Sequence, residues 1–168
     1  MKKLLAIVAA FGAAALVAAT AQAGSSARTH ARASGALVTL RKTALGSVLV
    51  DARGRTLYLF EKDHNGMSMC NTACVAYWPP LVSNGTPHAG TGVKQSLLTL
   101  ARAHNGVRQV LYAGHPLYTF VGDKRAGQAA GEGLNNFGAG WYIVAASGRK
   151  VEANAGTSGI GPGYSNGY

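Results

Sequence analysis

An internal repeat constrains this chain more than any other feature. Residues 36–63, ALVTLRKTALGSVLVDARGRTLYLFEKD, align without a gap over residues 96–123, SLLTLARAHNGVRQVLYAGHPLYTFVGD, at an offset of 60. Ten of the 28 positions are identical: Leu37, Thr39, Leu40, Gly46, Val50, Gly54, Leu57, Tyr58, Phe60 and Asp63 recur as Leu97, Thr99, Leu100, Gly106, Val110, Gly114, Leu117, Tyr118, Phe120 and Asp123. One supersecondary unit is therefore used twice, and the fold is expected to have two related halves.

Each copy contains three short runs rich in β-branched and aromatic residues, separated by turn chemistry. The turns fall at Leu45-Gly46 and Ala52-Arg53-Gly54 in the first copy, and at His104-Asn105-Gly106 and Ala113-Gly114 in the second. Asn105-Gly106 is the strongest hairpin signal, because both residues tolerate positive φ. The expected unit is a three-stranded antiparallel meander, with Leu57–Phe60 and Leu117–Phe120 as third strands. A period of two then sets Tyr58 and Phe60 on one face and Leu57 and Leu59 on the other. Ser96–Ala103 has helix formers, but its counterpart carries Val38, Thr39 and Thr43 and favours a strand.

A tryptophan-led run follows each copy, Trp78-Pro79-Pro80-Leu81-Val82 and then Trp141-Tyr142-Ile143-Val144, now at a spacing of 63. Thr72–Tyr77 has room for one helical turn before Pro79 stops it. The run from Trp141 to Ala146 reads as a last strand, turned back at Ser147-Gly148. The fold class expected is mainly β: two pseudo-symmetric repeats, about 36–82 and 96–146, packed as one small domain, with residues 82–94 a long loop between them.

Outside the repeats, residues 1–23 have the form of an export signal, with Lys2 and Lys3 before an apolar run and Ala21-Gln22-Ala23 as a small-x-small cleavage site. Its removal leaves about 145 residues, enough to bury a core without a dense disulfide framework. No apolar run long enough to span a membrane then remains. Residues 24–35 read as a disordered basic leader, and residues 147–168 as a turn followed by a disordered Gly-rich tail. The chain has 16 Lys and Arg against 6 Asp and Glu. Outside the cytoplasm that excess points away from nucleic acid and toward anionic envelope polymers or an envelope protein. Arg28, Arg32, Arg41 and Lys42 concentrate part of it near the new N-terminus, where a solvated leader that keeps the protein soluble is the first reading and a dedicated anionic contact the second.

Tyr58-Leu-Phe60-Glu-Lys-Asp63 and Tyr118-Thr-Phe120-Val-Gly-Asp123 both fit Y-x-[FWY]-x-x-D. They lie within VLVDARGRTLYLF, CNTACVAYWPPL, RQVLYAGHPLYTF and a terminal GWYIV. Together these blocks resemble a secreted repeat family of bacterial proteins described by a Y-x4-D motif, many of them described as predicted lipoproteins. The resemblance covers about residues 36–146. It implies an exported two-repeat β-rich domain, in a family whose biochemical activity is not established. The first cysteine is Cys70, so the lipobox cysteine of the lipoprotein members is missing and lipid anchoring is not expected. Periplasm and medium are both compatible with this reading.

On a strand the Tyr and the aromatic two residues later share a face, while the Asp falls at the strand end, where Gly66 and Gly127 mark a turn. The motif thus reads first as a core ladder with a turn cap. A Tyr and Asp ligand site shared between the halves is the second reading. The tryptophan runs offer Tyr77, Trp78, Trp141 and Tyr142 as surface contacts or as core.

Cys70 and Cys74 are the only cysteines, and in an exported chain a disulfide closing a small loop is expected. A redox couple is the alternative, with C-x3-C in place of C-x2-C and no thioredoxin-like pattern around it. Just upstream, His64, Met67 and Met69 are the soft and borderline donors that copper(I) prefers, which makes copper handling the alternative to a cofactor-free module. His30, His88, His104 and His115 make no zinc spacing. The chain lacks a G-x-S-x-G elbow, a P-loop and a helix-opening G-x-G-x-x-G. Glu61 and Asp63 sit too close together in sequence to suggest an acid and base pair. A non-catalytic binding or scaffold module of the envelope is the expectation.

Overall fold

The computed structural model describes residues 35–103 and 106–151; the readings made for residues 1–34 and 152–168, and for His104 and Asn105, lie outside them. The strands are β1 (Leu37–Thr43), β2 (Gly46–Asp51), β3 (Tyr58–Phe60), β4 (His88–Ala89), β5 (Leu98–Arg102), β6 (Arg108–Tyr112), β7 (His115–Pro116), β8 (Asn135–Asn136) and β9 (Ala139–Ile143). One helical turn, α1 (Thr72–Val75), and a 3-10 turn at Gln95–Leu97 complete the set. Three small sheets result, ordered β2-β1-β4, β3-β9-β8 and β5-β6-β7. The helical turn falls where Pro79 left room for it, and Ser96–Ala103 is mostly strand. The stretch expected to be a plain loop, 82–94, instead contains β4, which runs parallel to β1 with Leu37 opposite His88.

The repeat is real, but its ungapped register is not kept through the hairpins. Val38 pairs with Asp51, and its counterpart Leu98 pairs with Tyr112, so β2 and β6 correspond at an offset of 61. The cause is a pair of compensating turns. β1 and β2 close over Ala44-Leu45, whereas Ala103 bonds to Val107 and so leaves a three-residue loop. The next turn reverses the difference: Asp51 N–H bonds to Arg55 C=O around residues 52–54, while Tyr112 pairs with His115 across Ala113-Gly114 alone. Ala113 and Gly114 both have positive φ, 50° and 84°, as a tight two-residue hairpin turn requires. The apparent matches of Gly46 with Gly106 and Val50 with Val110 are therefore not spatial equivalences, whereas Gly54 and Gly114, each closing its turn with positive φ, are back in register.

The simple meander also gives way, because the third strand of each half leaves its own hairpin. Thr56 bridges Val50, but β3 then pairs antiparallel with β9 of the second half, Tyr58 opposite Ile143 and Phe60 opposite Trp141. The mirror arrangement holds for the second copy. Leu117 N–H bonds to Val110 C=O, after which Thr119 and Val121 bond to the carbonyls of Pro79 and Tyr77 in the first half. Each Trp-led run thus slots into the other repeat. Leu49 N–H bonds to Val144 C=O and Val144 N–H to Leu57 C=O; likewise Val110 N–H bonds to Leu81 C=O and Leu81 N–H to Leu117 C=O. Pro79 and Pro80 supply no N–H, so the first Trp-led run makes isolated bridges at Pro80 and Val82 where a continuous strand was expected. At the centre Tyr58 and Tyr118 exchange both backbone bonds, at 2.9 and 3.0 Å. A pseudo-twofold axis passes between them.

The alternation read from the sequence sorts the core into two clusters. Leu57, Leu59 and Leu117 face an aliphatic cluster with Val38, Leu49, Leu81, Leu98, Val110, Tyr112 and Val144. Tyr58, Phe60 and Tyr118 face an aromatic cluster with Trp78, Trp141, Val48, Val50, Ile143 and both cysteines. The middle strands are buried on both faces.

Candidate functional site

The motif residues meet around the twofold axis, and their pairing is crossed. Tyr58 OH donates to Asp123 Oδ2 at 2.7 Å, and Tyr118 OH donates to Asp63 Oδ2 at 2.8 Å. The other oxygen of each carboxylate accepts a backbone N–H in its own turn: Met69 to Asp63 Oδ1 at 2.7 Å, and Ala130 to Asp123 Oδ1 at 2.8 Å. Each aspartate thus pins a loop of its own half and the tyrosine of the other. Both carboxylate oxygens in each pair are satisfied internally, which is the turn cap read from the sequence, now shared between the halves.

Beneath the pairs lies a stack of four rings in mirrored order: Phe60, Trp141, Trp78, Phe120. Phe60 stacks on Trp141 at 4.1 Å, the two indoles at 3.9 Å and 5°, and Trp78 on Phe120 at 4.4 Å. Tyr58 and Tyr118 meet Trp78 and Trp141 edge-on at 5.3 and 5.1 Å. Asn136 serves both indoles, its Oδ1 accepting from Trp78 Nε1 and its C=O from Trp141 Nε1. With both tryptophans at 0% exposure, a surface role for them is overturned. Tyr77, 56% exposed, is the member of the aromatic set that faces solvent, tilted against Phe137 at the β8–β9 turn.

The electrostatics of the crossed pairs follow from their burial. Burial pushes the Asp63 carboxyl up to about 6 from an ordinary 3.8, even though the bonds from Met69 and Tyr118 pull it down. Burial likewise raises Asp123 against the opposing bonds from Tyr58 and Ala130. It also raises Glu132, whose carboxylate accepts from Ile143 N–H. Burial first, and then the aspartate partner, keeps both phenols protonated.

A carboxyl that binds its proton more tightly in the folded chain adds stability in acid. For Asp63 that contribution is complete below the unfolded value, near pH 4, and is lost as pH rises through about 6. Asp123 and Glu132 act in the same direction. The melting temperature, followed by calorimetry, is expected to rise between pH 7.5 and pH 5, with Asp63 alone contributing about 1 kcal/mol. Asp63→Asn should flatten the profile, and a wild-type protein that loses stability over this interval would contradict the assignment.

Cys70 and Cys74 form a disulfide that ties α1, through Cys74, to the chain just before it, and the turn is capped by Asn71 Oδ1 accepting from Cys74 N–H. The set His64, Met67 and Met69 divides. His64 and Met67 pair across a tight hairpin, exchanging backbone bonds at 3.3 and 2.9 Å, and both side chains are exposed. Met69 instead packs on the aromatic cluster. Among the described residues no three His, Cys, Asp or Glu side chains gather in a way that could hold a metal ion.

Sequence reasoning missed two features. Gln109, in β6, is buried to 1% exposure and donates to Leu117 C=O at 3.0 Å. Its polar character within a strand suggested nothing unusual. Arg41 lies against both Gly54 and Gly127 where Gly127 N–H bonds to Gly54 C=O, joining a turn of each half.

Two copies of one β unit, each completing the other's sheets over a single aromatic core, define a fused two-repeat β domain. The chain belongs to the family described as a secreted repeat of unknown function, which matches it at residues 39–82 and 99–145, one match per copy. No curated protein and no solved structure matches the chain. Among the described residues no helix is long and apolar enough to cross a membrane.

Proposed function

We propose that this secreted protein is a non-catalytic binding module for anionic polymers of the cell envelope. The observation that carries the reading is the placement of charge. The described carboxylates are all engaged within the chain: Asp51 with Arg55, Glu61 with Lys150, Asp63 and Asp123 in the crossed pairs, and Glu132 on Ile143. The contact between Gly54 and Gly127 sets Arg41 beside the turns that carry Arg53, Lys124 and Arg125, all four of them exposed. Guanidinium groups grouped in this way suit the phosphate or carboxylate groups of a polymer. A non-catalytic role is supported by the motif itself, whose carboxylates already accept internal bonds and whose phenols stay protonated.

The test is co-sedimentation of the protein with isolated cell envelopes over a series of salt concentrations. Binding is expected at low salt and to fall as the Debye length shrinks. Replacing Arg41, Arg53, Lys124 and Arg125 together by alanine should weaken it about tenfold, equivalent to the loss of ~1.4 kcal/mol, with the melting temperature unchanged. Binding indifferent to salt, or equal in the variant, would refute the proposal.

A further inference from the structure

The pseudo-twofold provides an internal control, because paired positions in one half have counterparts in the other. At one place the halves diverge in chemistry. Gln109 pairs with Ala101 and bridges Val82; Val48 pairs with Arg41 and bridges Ala145, so Gln109 takes the place of Val48. Met69 and Ala130 are the equivalent donors to Asp63 and Asp123, which makes Ser68 the counterpart of Ala129. Around Tyr58, Val48 and the half-buried Ala129 thus stand where Tyr118 has a buried amide and a buried hydroxyl. The amide and the hydroxyl come together around Tyr118, whose phenol oxygen lies 2.7 Å from Ser68 Oγ and is near enough to Gln109 to feel its side-chain amide.

A cavity of about 450 Å³ opens at these two side chains. Its remaining polar lining is Asn71 and Thr72, its apolar lining includes Val75 and Pro80, and no charged residue is among the described residues that line it. One wall is held in advance by the disulfide and by the Asn71 cap. Beside Tyr58 the packing is tighter at the position equivalent to Cys70: a Cβ at Gly131 would come within 2.7 Å of the Trp78 ring and 3.0 Å of Tyr58.

The mirror-related site around Tyr58 folds with Val48 and Ala129 at these places, packed in the aromatic cluster, so the fold itself requires neither the amide nor the hydroxyl. We propose that this cavity is a binding site for a small neutral molecule with an amide or hydroxyl at one end and an apolar body at the other. The polar end pairs with Gln109 and Ser68, and the body lies against Val75 and Pro80. Size agrees, since ligand pockets commonly span roughly 300–1,000 Å³. The site is independent of the basic face, and neither reading depends on the other.

The test uses benzamide as the probe and benzoate as its charged counterpart, each titrated into the ¹⁵N-labelled exported protein and followed by NMR. Benzamide is expected to give saturable shifts at the Gln109 side-chain amide, Ser68 and Thr72, with benzoate at least tenfold weaker. The double change Ser68→Ala, Gln109→Val installs the residues that the mirror-related site around Tyr58 already uses. It should keep the native near-ultraviolet circular dichroism and the sedimentation with envelopes while weakening benzamide at least tenfold. Val75→Phe, which fills the cavity from α1, should do the same and guards against a double variant that fails to fold. Absence of saturable shifts, benzoate binding as well as benzamide, or undiminished binding in a folded variant would each overturn the proposal.

Discussion

Expressed apart, residues 35–94 and residues 95–151 are each expected to remain unfolded, and to gain dispersed amide spectra only when mixed in equal amounts. The reason is the exchange of Trp-led runs. Val144 is held between Leu49 and Leu57, and Leu81 between Val110 and Leu117, by bonds of 2.8 to 3.1 Å. A lone half keeps one hairpin with an unfilled slot, half of the ring stack and half of each crossed pair. A two-stranded hairpin is marginal at best in water, and a chain of this length has little core of its own. Far-ultraviolet circular dichroism and ¹⁵N spectra of each half and of the mixture decide the matter. Cooperative unfolding of either half as a monomer would show that the exchange is dispensable.

Trp141→Ala is expected to cost about 4 kcal/mol, a large share of the total for a domain of ordinary stability. Trp141 is fully buried, stacks between Phe60 and Trp78, takes Tyr118 on its edge and donates to Asn136. Removing it opens a cavity at the axis, where both halves contribute walls, so neither can relax inward alone. Trp141→Phe keeps a ring in the stack and should cost about half as much. The two parallel indoles should also give a coupled circular-dichroism signal that disappears in either variant. Urea unfolding supplies the energies, and a loss below about 1 kcal/mol for the alanine variant would mean that the stack is ornamental to stability.

The sequence revealed the faces of these strands better than their partners. Leu57, Tyr58, Leu59 and Phe60 alternate, and alternation alone assigns them to the aliphatic and aromatic clusters. It says nothing about which strand lies alongside, because β3 satisfies the same pattern beside its own hairpin or beside β9. The one-residue slip of β6 was hidden for a related reason. A longer turn before it and a shorter turn after it cancel, leaving Gly106 and Val110 in an illusory register. The aspartate turn caps and the small disulfide loop were legible because both arise within a few residues of chain. The crossing of the tyrosines, 65 and 55 residues from their aspartates, was not. Gln109 and Ser68 escaped notice because single polar residues in strands and turns are commonplace, and only the comparison of the two halves in space makes them conspicuous.

The exchanged strands also set a timetable. Bonds from Leu49 and Leu57 to Val144 join residues about 90 positions apart, a separation that makes folding slow. The first hairpin cannot be completed until the segment around Val144 is available to fill its slot. A nascent chain therefore has no way of locking its early half while the late half is still being made. The consequence is that the chain stays open until its last strand has been synthesised.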